Sequence, residues 1–240
     1  MTLLLLAGTG DARRIAQRLA GADVIASLAG ATRDPVALPI PTRLGGFGGE
    51  AGFRDFLTAH AISAVLDATH PYAHRITARS ARICAALGLP FLQYLRPGWV
   101  PEVGDNWTEI SREEEAATLI PTGATVFLGT GRQTLDRFAN LTGRRVICRQ
   151  IDPPEGPFPF AGGEFLLGRP PFSVADELAL FDRLKVDWLV VKNAGGEASH
   201  TKLTAARQLG IPVLMIARPT PGDWPHVASI ESAMEWVRAL

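Results

Sequence analysis

Apolar residues in this chain fall into short unbroken runs that alternate with stretches of helical period. Leu3 to Leu6 with Ala7 form the first run, Gly8-Thr9-Gly10-Asp11 break it, and Ile15 and Leu19 then recur on one helical face. A strand buried on both faces reads as a continuous run, and an amphipathic helix repeats about every 3.6 residues. The same reading predicts strands over Val24–Leu28, 64–66, 91–95, 124–128, 145–149, Trp188–Lys192 and Val213–Ile216, with a short strand or turn over 227–230. Helices are predicted up to residue 20 and over 50–60, 75–87, 112–119, 133–141, Val174–Leu184, 200–209 and 232–239. Strands that alternate with helices specify an α/β protein with parallel sheets.

The two halves repeat each other. Gly8-Thr9-Gly10 recurs as Gly129-Thr130-Gly131, Leu87-Gly88-Leu89-Pro90 as Leu209-Gly210-Ile211-Pro212, and Arg96-Pro97 as Arg218-Pro219, at displacements that differ by no more than one residue. The expectation is therefore two Rossmann-like parallel-sheet domains from an internal duplication, 1–100 and 101–240, with a ligand cleft between them. The segment 96–108, rich in Pro, Gly and Trp, is the expected linker. The segment 152–171 holds six prolines and reads as a cover or lid.

Composition narrows the function. Of the 240 residues 47% are apolar and 20% charged, and Lys plus Arg equals Asp plus Glu at 24 each, so bulk charge favours neither nucleic acid nor an anionic membrane as partner. The N-terminal apolar run is too short for a signal-peptide core or a membrane span, which implies a cytoplasmic protein. Cys84 and Cys148, without Cys-x-x-Cys spacing, read as buried packing residues.

Candidate chemistry gathers where strands end. Gly8, Thr9, Gly10 and Asp11 follow a strand and open a helix, as a dinucleotide pyrophosphate site requires, although Arg13 stands at the third glycine of G-x-G-x-x-G. Either the helix is shifted outward, or Arg13 approaches the pyrophosphate, or it lies on the solvated face. After the second strand, Ser27-Leu28-Ala29-Gly30-Ala31-Thr32-Arg33 has hydroxyls and a cation where NAD enzymes carry an acid, which favours NADPH over NADH through Ser27, Thr32 and Arg33. Gly45-Gly46-Phe47-Gly48-Gly49 is either a ligand-approaching loop or a turn before a helix. Asp67-Ala68-Thr69-His70-Pro71-Tyr72-Ala73-His74 concentrates titratable groups at another strand end; Asp67 or Thr69 can cap the next helix, which leaves His70, Tyr72 and His74 to explain. No carboxylate or Cys cluster completes a metal set around these histidines. Arg33, Arg96, Arg132, Arg149, Lys192, Lys202 and Arg218 fall at or just past predicted strand ends, a cationic rim suited to a substrate bearing several carboxylates or phosphates.

Together, Gly8-Thr9-Gly10-Asp11, Ser27-Leu28-Ala29-Gly30, the glycine cluster, Asp67-Ala68-Thr69-His70-Pro71-Tyr72-Ala73 and Lys192-Asn193-Ala194-Gly195-Gly196 resemble the precorrin-6A reductases of cobalamin biosynthesis, over nearly the whole chain. The resemblance implies hydride transfer from NADPH to one double bond of a polycarboxylated tetrapyrrole, precorrin-6A to precorrin-6B, then protonation of the neighbouring carbon, with no flavin and no metal in the enzyme. It leaves open whether that tetrapyrrole is metal-free or carries cobalt. On this reading Gly8, Thr9, Gly10, Asp11, Ser27, Gly30, Arg33 and Thr69 hold NADPH/NADP+. Arg96, Arg132, Lys192, Asn193 and Arg218 hold the substrate. The proton donor is sought among His70, Tyr72, His74, Lys202 and water, with Asp67 catalytic or orienting a neighbour. Transient contact with neighbouring enzymes of the pathway is a further expectation. The rivals are a nucleotide-dependent ligase or transferase, disfavoured by the absence of a Walker pattern, and a non-catalytic two-domain protein that senses a dinucleotide.

Overall fold

Leu3, Leu4, Leu5 and Leu6 are each at most 2% exposed, and their strand pairs in parallel on both sides, so the first apolar run is a central strand. A computed structural model describes every residue except Ala31, Thr32 and Asp34. The expected part of Thr32 in cofactor binding therefore lies outside the described residues.

In chain order the first elements are β1 (Thr2–Leu6), α1 (Gly10–Arg18), β2 (Val24–Leu28), β3 (Thr42–Leu44), α2 (Gly49–Ala59), β4 (Ile62–Asp67), α3 (His74–Leu87) and β5 (Phe91–Tyr94). There follow β6 (Trp107–Ile110), α4 (Ala116–Leu119), β7 (Thr125–Leu128), a 3-10 segment (Arg132–Phe138), β8 (Arg145–Gln150) and β9 (Gly163–Leu167). The chain ends with α5 (Val174–Leu184), β10 (Trp188–Lys192), α6 (Thr201–Leu209), β11 (Val213–Ile216), β12 (His226–Val227) and α7 (Ile230–Arg238). No helix among the described residues is long and apolar enough to cross a membrane.

The strands form two six-stranded sheets, ordered β12-β5-β4-β1-β2-β3 and β6-β11-β10-β7-β8-β9, with every pairing parallel. Position by position the orders are the same, so the sequence repeat reappears as one topology used twice. The repeated Leu-Gly-x-Pro marks one device: Gly88 and Gly210 end α3 and α6 in the left-handed region, at φ 65° and 67°, and the proline that follows forbids another turn. In the first sheet, one face packs Ala12, Ile15 and Ala16 of α1 with Ala233 and Met234 of α7. The other face packs Phe53 and Leu57 of α2 with Ile83 and Cys84 of α3. In the second sheet, Phe181 of α5 and Leu203 and Ala206 of α6 cover Phe127, Leu189 and Val213.

The chain divides into an N-terminal unit, Met1–Pro97 with Pro219–Leu240, and a C-terminal unit, Gly98–Arg218. This corrects the expected boundaries, which gave the last segment to the second domain. Beyond Arg218 the chain returns to the first sheet: His226 and Val227 pair with Gln93 and Tyr94, the Trp224 indole donates to the Gln93 amide oxygen at 2.7 Å, and Arg18 of α1 pairs with Glu231 of α7 at 2.8 Å. The first sheet thus takes its sixth strand from the chain's end, while β6, just past the first crossing, is the sixth strand of the second sheet.

Other expectations also shift. Where a helix over 133–141 was expected there is a 3-10 segment, because Gly131 enters it at φ 72° and Thr134 departs from helical geometry. The expected lid contains β9, and β3 and β6 fall where loop or linker was expected. All three lie at or next to a sheet margin and bury few side chains, so they lack the apolar run that marks a central strand.

Ala233 is fully buried against α1. Ala233→Asp sets an unpaired carboxylate there and destabilises the N-terminal unit by several kcal/mol. Hydrogen exchange should accelerate in β1, α1 and β5 and not in β7 or β10; acceleration in the second sheet instead would return this segment to the second domain.

Candidate functional site

In the N-terminal unit the β1–α1 turn is built around Thr9. Its hydroxyl accepts from the Ala12 N–H and donates to the Ala68 carbonyl, both at 3.0 Å, so one side chain caps α1 and ties the ends of β1 and β4 together. Gly8 stands at φ 130° with nothing within 4 Å of where a Cβ would be, leaving an open approach to the turn. Gly10 begins α1, and Arg13 is exposed on the solvated face; Ala12 and Ala16 supply the close helix–sheet packing that a third glycine would give. Asp11 is turned inward: it is 5% exposed and its carboxylate takes Arg14 Nη2 at 2.5 Å and Arg96 Nη1 at 2.9 Å. Arg96, expected on the substrate rim, is therefore the ion partner of the residue expected at the pyrophosphate. The pairing offsets a carboxylate that would otherwise repel phosphate at a helix N-terminus. Burial and the Asp11 charge raise the Tyr94 phenol.

At the carboxyl end of β2, Ser27 is buried and its hydroxyl accepts from Arg43 Nη1 at 2.8 Å. Gly30, at φ 77°, lies against the glycine loop, where a Cβ on it would come within 3.8 Å of Gly45. Arg33 is exposed in the loop beyond. Sequence reasoning missed Arg43 because it sits in a three-residue strand with exposed neighbours and belongs to no motif.

The β4–α3 turn separates residues that sequence grouped. Asp67 is fully buried, its Oδ1 accepts the Thr69 N–H at 2.9 Å, and burial raises its carboxyl, with the nearby Thr77 and Thr69 groups pulling it back. Asp67 thus braces the turn from inside and does not reach the surface, a position suited to the expected alternative of orienting a neighbour. His70 and Tyr72 stay together on the outside, with ring centroids 5.7 Å apart and the Tyr72 N–H donating to His70 Nδ1 at 3.3 Å. Thr69 is half-buried beside them and His74 is exposed.

In the C-terminal unit the organising side chain is Trp99, which sequence left in the linker. Asn193 clasps its backbone from both sides, accepting the Trp99 N–H at 2.7 Å and donating to the Trp99 carbonyl at 2.9 Å, while the Trp99 indole donates to the Gly196 carbonyl at 3.0 Å. Arg218 Nε donates to the Asn193 carbonyl at 2.5 Å. Lys192 donates to Thr134 Oγ1 at 3.1 Å and faces Glu113, a buried carboxylate that also pairs with Arg137 at 3.3 Å. Burial lowers the Lys192 ammonium, and Glu113 opposes that. Lys192, Asn193 and Arg218 are thus brought together, Arg132 is exposed at the rim, and Arg96 belongs to the other unit.

Lys202 lies beside this cluster, with Nζ donating to the Ser199 carbonyl at 2.6 Å and standing 6.0 Å from the Trp99 ring. Its stem packs against Gly129, where a Cβ would meet Lys202 Cδ at 3.5 Å and Val191 at 3.0 Å. Burial pushes the ammonium down to about 8, the Arg149 guanidinium adds to this, and Glu177 works against it. Arg149 and Glu177 form a bidentate pair at 2.8 and 2.7 Å, 9% and 1% exposed, with Arg149 lying over Phe172 at 4.2 Å. Glu177 carried no sequence signal, since an acid in a helix's first turn reads as a complement to the helix dipole. Cys84 and Cys148 are buried as expected, and burial pushes their thiols up to about 12 and about 11.

The fold and these groups define a class: an α/β protein of two like parallel-sheet units, with a dinucleotide-type glycine turn in the first and a cluster of cations in the second. Over residues 2–238 the chain matches the model of the precorrin-6x reductase CbiJ/CobK family, and it belongs to that family. It is 43% identical to the precorrin-6A reductase of Rhodococcus erythropolis, covering 99% of this chain and 98% of the relative. It is 40% identical to that of Rhodobacter capsulatus, with coverage of 98% and 95%. The cobalt-precorrin-6A reductase of Priestia megaterium is more distant, at 29% identity with 90% of each chain covered. A solved CobK precorrin-6A reductase superposes with a TM-score of 0.95 at 39% identity, over 100% of this chain and 96% of that one.

Glu177→Ala leaves the Arg149 charge buried without its partner and lowers stability by about 3–5 kcal/mol. Urea denaturation checks this; a loss below about 1 kcal/mol would mean that the pair is solvated.

Proposed function

We propose that this protein catalyses the NADPH-dependent reduction of precorrin-6A, with hydride delivered to one double bond of the macrocycle and a proton to the adjacent carbon. The full-length relationship to precorrin-6A reductases carries this reading. The metal-free substrate is favoured over the cobalt form because relatives named for the former are 39–43% identical, against 27–30% for those named for the latter.

The N-terminal unit fits a dinucleotide. Gly8 and Gly10 leave the turn open, Thr9 holds it through bonds directed inward, and the carboxyl end of β2 presents Ser27 and Gly30 without an acid. Gly8, Thr9 and Gly10 would hold the pyrophosphate, with Asp11 fixing Arg14 and Arg96 behind it, and Ser27, Gly30 and Arg33 would lie toward the adenosine, with Thr69 at the neighbouring strand end. NADPH supplies the hydride when bound. In the C-terminal unit, Arg132 and Arg218 attract the substrate carboxylates, while Lys192 and Asn193 hold the loop that shapes their surface. Lys202 is the favoured proton donor: an ammonium brought down to about 8 is mostly protonated at neutral pH and yet releases its proton readily. His70, exposed at the β4–α3 turn, and the half-buried Tyr72 beside it are the competing donors.

The test is anaerobic turnover with precorrin-6A, following nucleotide oxidation with NADPH and NADH side by side. Substrate-dependent oxidation of NADPH supports a reductase; nucleotide binding without oxidation leaves only a sensing role. Because Lys202 loses its proton as pH rises through about 8, kcat should fall on the alkaline side of that value. Lys202→Met should lower kcat by roughly 100-fold or more and abolish that limb, in line with the usual worth of a positioned proton donor. An unchanged pH profile in Lys202→Met, together with a lost one in Tyr72→Phe or His70→Ala, moves the proton to the β4–α3 turn.

A further inference from the structure

Arg43 is the hub of the surface formed by the carboxyl end of β2 and the glycine loop. The β2–β3 register sets it beside Ser27, and its Nη1 donates to Ser27 Oγ and to the Gly45 carbonyl, each at 2.8 Å, while Nη2 donates to the Gly46 carbonyl at 3.0 Å. Its guanidinium lies 4.2 Å from the Phe47 ring centroid and 5.2 Å from that of Phe56. A guanidinium has about five N–H donors in a fixed fork. The bonds above leave Nε and one hydrogen of Nη2 without a partner among the described residues. Ser27 accepts the Arg43 bond, so its own hydroxyl hydrogen is still to be given.

The surroundings are cationic and short of acid. Arg79 of α3 brings a second guanidinium to the same aromatic cluster, 5.8 Å from Phe47 and 5.2 Å from Phe53, and its Nε and Nη2 are buried without a hydrogen-bond partner among the described residues. Glu50, the carboxylate that acts on Arg79, is itself paired with Arg82. From Ala26 to Arg33 the sequence holds no Asp or Glu. A fixed guanidinium edge, a serine hydroxyl and uncompensated positive charge are what a phosphate monoester dianion requires.

We propose that Arg43 is the residue that selects NADPH over NADH, binding the adenosine 2′-phosphate through Nε and Nη2 together with the Ser27 hydroxyl, while its other bonds hold the glycine loop. The proposal rests on the reading of the chain as an NADPH-dependent reductase, and it moves to Arg43 the part that sequence assigned to Arg33. Arg43 is already locked by carbonyls and an aromatic face, so it gives up little side-chain freedom when phosphate binds.

The experiment is fluorescence titration of the full chain with NADPH and with NADH, for the wild type, Arg43→Gln, Arg43→Lys and Arg33→Ala. The readout is the ratio of the two dissociation constants, because collapse of the glycine loop would weaken both nucleotides alike. Arg43→Gln should cut the preference for NADPH by roughly 10- to 100-fold with NADH little changed, as expected for the loss of charge-assisted bonds. Arg43→Lys should recover only part of it, since an ammonium cannot hold the loop and grip two oxygens together. Equal weakening of both nucleotides in Arg43→Gln overturns the proposal and leaves a loop brace; a ratio unchanged there but lost in Arg33→Ala overturns it in favour of Arg33. Wild-type protein that binds NADH as well as NADPH defeats the cofactor reading itself, an outcome visible before any variant is compared.

Discussion

A parallel sheet covered by helices on both faces leaves its polar backbone free only at the strand ends, and the rest of this structure follows from that constraint. β1, β4, β7 and β10 are buried along almost their whole length, so side chains between their ends are mainly apolar and polar groups fall at the ends. Thr9, Ser27, Asp67, Lys192 and Asn193 all sit at or just past a carboxyl strand end. Each unit repeats this edge once, and the two edges have diverged. The first keeps a capped helix after its Gly-Thr-Gly turn; the second replaces that helix with a kinked 3-10 segment and brings lysines beside it.

The two edges also handle charge differently. In the first, Asp11 consumes two guanidinium groups, and Arg43 is held by a hydroxyl and carbonyls instead of carboxylates. In the second, Glu113 and Glu177 are buried acids that fix Lys192, Arg137 and Arg149 from behind. Lys202 donates to a carbonyl and lies against Trp99, and Glu177 reaches it only as a field that Arg149 outweighs. That arrangement brings the Lys202 ammonium down to about 8, and the proposed proton transfer rests on it.

Much of this was legible in the sequence. Unbroken runs such as Leu3 to Leu6 marked central strands, and Leu-Gly-x-Pro marked two equivalent helix ends, because burial on both faces and a left-handed cap each demand particular residues. Strands β3, β6 and β9 escaped because a partly exposed edge demands few. The return of Pro219–Leu240 to the first unit escaped because strand pairing across the chain leaves no local pattern. At the site, glycines and strand-end cations were visible as types, but their partners were not. Nothing in the sequence distinguishes Arg96, bound to Asp11, from Arg132, exposed at the rim; nor does it show that Asp67 faces inward while His70 and Tyr72, a few residues on, face outward.

Isotope tracing tests the central claim most directly. Precorrin-6A would be turned over anaerobically with NADPH deuterated at the transferable C4 position in ordinary water, and the product examined by mass spectrometry. Direct hydride transfer requires one deuterium to be retained on the reduced macrocycle, and the converse experiment, unlabelled NADPH in deuterated water, should place one deuterium at the neighbouring carbon. A reduced product without the nucleotide's label, or no reduced product despite tight NADPH binding, would contradict a direct reductase.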